Sequence, residues 1–118
     1  MPRWSEPIKL RDYGQAPDTF GVYEIGFNRG GNFNAQYCGR AASATLRSRL
    51  TDHFEGRGNE ETANYLIEKY PLRNYQGERD NLYCRWQVTD SATAIEREKN
   101  LHREFDYPWN HRNEGRRS

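Results

Sequence analysis

The chain has 118 residues, 34% of them apolar and 30% charged, with a formal net charge of +1. That length excludes two independent cores, and the balance of 18 basic against 17 acidic side chains excludes a global field for nucleic acid or an anionic membrane, so any basic site is local. Aromatic residues, at 14%, argue against disorder and must build much of the core.

The apolar runs are a few residues long, far short of the roughly 20 that cross a bilayer, and the first residues carry no apolar signal-peptide region. A cytoplasmic protein is expected. Cys38 and Cys84 form no close ligand pair, so free thiols are expected rather than a zinc site or a disulfide framework.

In chain order, residues 1–18 mix Pro2, Pro7, Gly14 and Pro17 with charges and show no period, which reads as an arm leading into the domain. Residues 19–27, TFGVYEIGF, are aromatic and β-branched and predict a strand. The Gly/Asn cluster at 28–34 then predicts a hairpin loop, and AQYCGR at 35–40 the returning strand. Residues 43–55 place Leu46, Leu50 and Phe54 at helical spacing, with Ser43 as the N-cap and Gly56 as the stop. Arg49 and His53, at i and i+4, border that stripe and point together.

Residues 56–80 read as an elaboration, with a polar helix over about 60–70 stopped by Pro71. Residues 81–89, NLYCRWQVT, alternate Leu82, Cys84, Trp86 and Val88 with polar neighbours and predict the clearest strand. Asp90 or Ser91 caps a final helix to about Phe105, whose apolar stripe runs through Ala94 or Ile95, Leu101 and Phe105 with Glu98 in it. Residues 111–118 form a basic tail.

Glu98 is the most informative single residue, because an ionised carboxylate facing a core is costly unless paired. Helical spacing alone favours a carboxylate at the edge of the stripe, bonded to an arginine. The alternative is a carboxylate turned inward to hold a hard cation such as Mg²⁺. Taken singly, Arg49 and His53 read as charges beside an apolar face, and Tyr23 and Tyr37 as strand aromatics. If the chain binds DNA its basic charge must be concentrated, and Arg40, Arg47, Arg57, Lys69 and Arg73 are then the candidate contacts, although Glu55, Glu60, Glu61 and Glu68 are interleaved with them.

Together, Gly21-Val22-Tyr23 and Tyr37-Cys38-Gly39 on paired strands, before a helix with Arg49 and His53, resemble the GIY-YIG nuclease superfamily, whose name spells those two tripeptides. Glu98, Leu101 and Asn110 match the family's later pattern, and Pro108-Trp109-Asn110 resembles the ending of its restriction and repair members. The resemblance covers about residues 19–110. Val22 and Cys38 depart from the name at its variable positions, the hairpin loop at 28–34 is rather long for the family, and the elaboration at 56–80 is additional.

The resemblance implies a small α/β domain, a three-stranded antiparallel sheet flanked by helices, acting as a metal-dependent DNA endonuclease. A type II restriction enzyme and a stand-alone phage or prokaryotic nuclease both fit. It implies that Tyr23 orients or deprotonates the attacking water beside Tyr37, and that Arg49, with Arg40, contacts phosphate. His53 would position water or phosphate, Glu98 would hold one Mg²⁺ or Mn²⁺, and Asn110 would brace the site. Which tyrosine takes the proton stays open. DNA is the implied substrate, a homodimer is compatible, and the alternative is a non-catalytic nucleic-acid-binding module of the same fold.

Overall fold

The computed structural model describes residues 3–55 and 81–107. The elaboration expected at 56–80, with its helix and with Arg57, Lys69 and Arg73, lies outside the described residues. So do Asn110 and the basic tail.

Strand β1 (Ile8–Lys9) leads into a short 3-10 helix (Leu10–Gln15), then come β2 (Gly21–Arg29), β3 (Asn32–Ala41) and helix α1 (Leu46–Glu55). After the elaboration come β4 (Tyr83–Val88) and helix α2 (Ser91–Glu104). The sheet is antiparallel, with strand order β1-β4-β2-β3. The expected sheet of three strands therefore has four. The additional one comes from the segment read as an arm, where Ile8 pairs with Cys84 and Lys9 with Tyr83. Two residues are too few to show a period of two, so this strand exists only by virtue of its partner. Leu10 and Ala16, from the same segment, are buried in the core.

Strand β2 is central, and its first six residues are buried because both of its faces are covered. On one face Tyr23 and Ile25 pack with Leu10, Leu46, Leu50 and Cys84, beneath α1 and the 3-10 helix. On the other, Val22 packs with Cys38, Ala94, Leu101 and Tyr107, beneath α2. Neither Cys38 nor Cys84 is in a disulfide, and both are buried, on opposite sides of the sheet. The alternation read in β4 holds for Leu82, Cys84 and Trp86 on the α1 side. It fails at the end, where Val88 is exposed and Gln87 is buried beside Arg97 of α2.

The hairpin loop expected at 28–34 is a tight turn. Gly30 and Gly31 take φ of +56° and +83°, the positive pair that a two-residue type I′ connection requires, so pairing runs out to Arg29 and Asn32. Sequence reasoning missed the start of β3 because an edge strand with solvated residues carries no apolar alternation. A bulge interrupts the pairing: Ile25 faces Tyr37 but Gly26 faces Ala35, leaving Gln36 as the extra residue. Tyr37 and Ala35 consequently pack on opposite faces although they are two residues apart.

The N-cap of α1 is Thr45 rather than Ser43, with its Oγ1 accepting from Ser48 N at 3.2 Å. Leu46 N and Arg47 N, also in the first turn, donate to the carbonyls of Thr19 and Pro17. Asp90 caps α2, its carboxylate accepting from Thr93 N at 2.7 Å, and this bond holds the Asp90 carboxyl below its ordinary pKa. No described helix is long and apolar enough to cross a membrane.

Candidate functional site

Antiparallel register sets Tyr23 opposite Gly39 and Tyr37 opposite Ile25, so both tyrosines project from neighbouring strands toward α1. Their ring centroids lie 6.3 Å apart. The Tyr23 ring leans across β3 at Gly39, where a Cβ would stand 2.5 Å from the phenolic oxygen and 2.7 Å from Cζ. The glycine of Tyr37-Cys38-Gly39 is thus the space that the tyrosine of Gly21-Val22-Tyr23 occupies. Gly21 is equally constrained, since a Cβ there would collide with the Gln87 carbonyl of β4.

Behind this pair, α1 buries His53, with its Nε2 2.8 Å from the Tyr23 hydroxyl and its ring edge-on to Tyr37 at 4.8 Å. Tyr23 is 0% exposed, His53 1% and Tyr37 7%. One turn earlier on α1, Arg49 reaches the same region from the solvent side.

Alternation along β3 sends Arg40 toward α2 instead, where its Nη1 donates to Glu98 Oε1 at 3.2 Å. His102, one turn further along α2, lies 3.7 Å from Glu98 Oε2. Helix α2 is anchored here because Ser91 Oγ donates to the Ala42 carbonyl at 2.7 Å, tying its first turn to the chain leaving β3.

A cleft of about 510 Å³ opens between these elements, lined by Tyr23, Tyr37, Arg40, Arg49 and Glu98 together with Ser43 and neighbouring small residues. Among the described residues its charged lining is two arginines and one glutamate, so the cleft is locally cationic in a chain of near-zero net charge. Five of the residues singled out from sequence converge on it. His53 stands behind Tyr23 instead of on the wall. Arg47 is engaged elsewhere, its Nε donating to the Ala16 carbonyl at 2.9 Å, where it steadies the end of the 3-10 helix.

Glu98 is bonded to an arginine at the edge of the α2 stripe, with its side chain 21% exposed, and it lines the cleft. No group of three or more His, Cys, Asp or Glu side chains is assembled for a metal among the described residues. One carboxylate does not make a closed site of the zinc type. It is compatible with Mg²⁺, which keeps several waters and takes its remaining ligands from substrate phosphate.

Sequence reasoning missed a second polar cluster on the α2 side. Glu24, adjacent to Tyr23 and so pointing the other way, is 3% exposed. It accepts from Arg85 Nε at 2.8 Å and from Tyr107 Oη at 2.5 Å, and Arg85 Nη2 lies 2.7 Å away. Burial, with Cys38 and Glu24 close by, pushes the Tyr107 phenol far above its usual range. Burial, then Glu24 and Glu98, likewise pushes the Cys38 thiol up. The available signal was a lone carboxylate inside the apolar run VYEIGF, which needs a partner from elsewhere. The chain matches no family model, no curated protein and no solved structure.

Proposed function

We propose that the protein is a phosphodiesterase acting on DNA, a nuclease of the GIY-YIG type, with the cleft at the end of β3 as its active site. The observation that carries this reading is the convergence of two tyrosines, two arginines and a glutamate, from the four elements β2, β3, α1 and α2, on one concave surface.

Hydrolysis of a phosphodiester needs a deprotonated water, stabilisation of charge on the phosphoryl oxygens and help for the leaving oxygen. Arg49 offers a planar, permanently charged donor to the phosphoryl oxygens, and Arg40 adds a second cation on the opposite wall. A phenol, with a reference pKa of about 10, is a poor base alone. Tyr23, however, is hydrogen-bonded to His53, whose imidazole can receive the phenolic proton as Tyr23 takes one from water. His53 therefore acts through Tyr23 and holds it in line, while Tyr37 packs against the imidazole from the cleft side. Glu98 would hold a divalent cation together with the bound phosphate, and that ion would supply Lewis-acid stabilisation of the phosphoryl and leaving oxygens. Arg40 then exchanges its bond to Glu98 for one to phosphate.

A second reading, a nucleic-acid-binding module without catalysis, draws on the Arg40 to Glu98 pair, which leaves the carboxylate already neutralised. Plasmid nicking with and without Mg²⁺ separates the two. Metal-dependent nicking that is lost in Glu98→Gln, with DNA binding retained, supports the nuclease. Tight binding by the wild-type chain with no nicking in Mg²⁺ or Mn²⁺ overturns it in favour of the module.

A further inference from the structure

At the far end of the α2 and β3 pair lies a second cavity, of about 330 Å³. Its walls are flat: Trp4, Phe33, Phe105 and Tyr107 all contribute rings. Arg85 lies between two of them, its guanidinium carbon 4.5 Å from the Trp4 centroid and 4.7 Å from that of Phe33. Glu24 fixes the same guanidinium from within. The cavity is therefore a slot aromatic in its lining, with Arg85 held between Trp4 and Phe33 by Glu24 and the Phe105 ring left exposed. Phe105 tilts against Tyr107 with centroids 6.4 Å apart and is 53% exposed.

We infer that this slot binds a nucleobase. A planar heterocycle can stack on the exposed Phe105 ring beside the other aromatic lining residues, and the Asn34 amide at the lining is suited to its ring nitrogens and amino groups. A cationic side chain is disfavoured because Arg85 already occupies the cation position between Trp4 and Phe33. An anion is disfavoured because Arg85, the cation among the described lining residues, is already paired with Glu24.

The slot and the cleft share their framework. Asn34 in the slot and Arg40 in the cleft are both on β3, about 20 Å apart along an extended strand. Glu98 and Phe105, seven positions apart at the end of α2, are separated by about 10 Å along the helix axis. His102 lies between them, its ring 5.2 Å from that of Tyr107 and its Nε2 3.2 Å from the Cys38 carbonyl. A single strand laid along the β3 edge with a phosphate in the cleft would bring an unpaired base a few nucleotides away to the slot. Placing the base in a strand rests on the nuclease reading; the slot's preference for a base does not.

The test uses the full chain in EDTA, so that binding is read without cleavage. An oligonucleotide carrying 2-aminopurine at unpaired positions is titrated by fluorescence, with a blunt duplex and adenosine monophosphate as separate arms. Phe105→Ala removes an exposed ring, and Phe105→Tyr keeps a stacking surface. The single strand is expected to lose about ten-fold in affinity in Phe105→Ala and to regain it in Phe105→Tyr, with the duplex unchanged. Saturation by adenosine monophosphate with the same dependence on Phe105 identifies free nucleotide as the ligand's source, and dependence seen only with the oligonucleotide identifies a strand. Equal affinity of Phe105→Ala and wild type overturns the slot, as does Phe105-dependent binding of a lysine-rich peptide in place of the oligonucleotide. Nicking by the wild type without a Phe105 effect overturns the slot alone. A Phe105 effect without nicking overturns the nuclease reading alone.

Discussion

Tyr23 and Glu24 are neighbours in sequence, yet each is the centre of a different buried polar cluster. On the α1 side, Tyr23 and His53 are joined by one hydrogen bond and meet the wall of a cationic cleft. On the α2 side, Glu24 is held by both Arg85 and Tyr107, so its two oxygens are satisfied from within the fold. The contrast teaches which polar burial is free to do chemistry. The Tyr23 and His53 pair borders a cleft that a ligand can enter, whereas a carboxylate bonded on both oxygens fixes the packing around it.

The largest stability effect should come from the closed cluster. Glu24→Ala strands Arg85 and Tyr107 without their acceptor and is expected to cost about 3 kcal/mol or more in urea unfolding, because removing one partner leaves a largely buried charge behind. A loss below about 1 kcal/mol would erase the distinction between the two sides.

Alkali sharpens the comparison. Burial raises the Cys84 thiol from 9.0 to about 12, so above pH 9 the unfolded chain releases a proton that the folded chain keeps. Stability is therefore full below pH 9 and falls as pH rises through this window. The loss from Cys84 alone is about 2 kcal/mol by pH 10.5. Cys38 and Tyr107, both on the α2 side and both raised, add to that slope. Denaturation followed between pH 7 and 11 should show a plateau and then this decline; a flat profile to pH 11 would contradict the burial of all three groups.

Smaller in stability, but directed at the cleft, is Gly39→Ala. The new methyl meets the Tyr23 hydroxyl and ring, and displacing that ring should cost roughly 1–3 kcal/mol. Nicking should fall sharply, and the near-ultraviolet tyrosine signal should change in the variant.

Tyr23→Phe keeps the ring and removes the hydroxyl bonded to the buried His53, at a cost of about 1–2 kcal/mol. Under the proposed mechanism the same change lowers single-turnover nicking by about 10²-fold or more. The pairing of a small stability loss with a large rate loss is the signature expected of the open cluster, and its reverse is expected of Glu24.

Much of this was legible from sequence because it is local. The period of two in β4 and the helical spacing of Leu46 with Leu50, and of Ala94 with Leu101, were enough to read those elements. The cleft was legible only through a pattern spread from Gly21 to Glu98, since neither Tyr23 nor Glu98 singly departs from ordinary strand and helix residues. What stayed hidden is non-local. Glu24 and Tyr107 are 83 positions apart, and no local window contains both. Strand β1 has no pattern of its own, and the Gly30-Gly31 turn was masked by a polar edge strand.

The pairing of β1 with β4 also has a kinetic side. Ser5 Oγ accepts from Trp86 N, 81 residues away, Ser5 N donates to the Trp86 carbonyl, and Leu10 N donates to that of Leu82. During synthesis the residues that form β1 emerge early and wait, unpaired, until β4 has been made. Until then β2 has only β3 beside it, and Leu10 has no Leu82 to pack against. Contact order this high slows folding relative to a helical chain of similar length. The intervening interval, with an apolar central strand open along one edge, is the stage at which the nascent chain is most exposed to association with other chains and to chaperones.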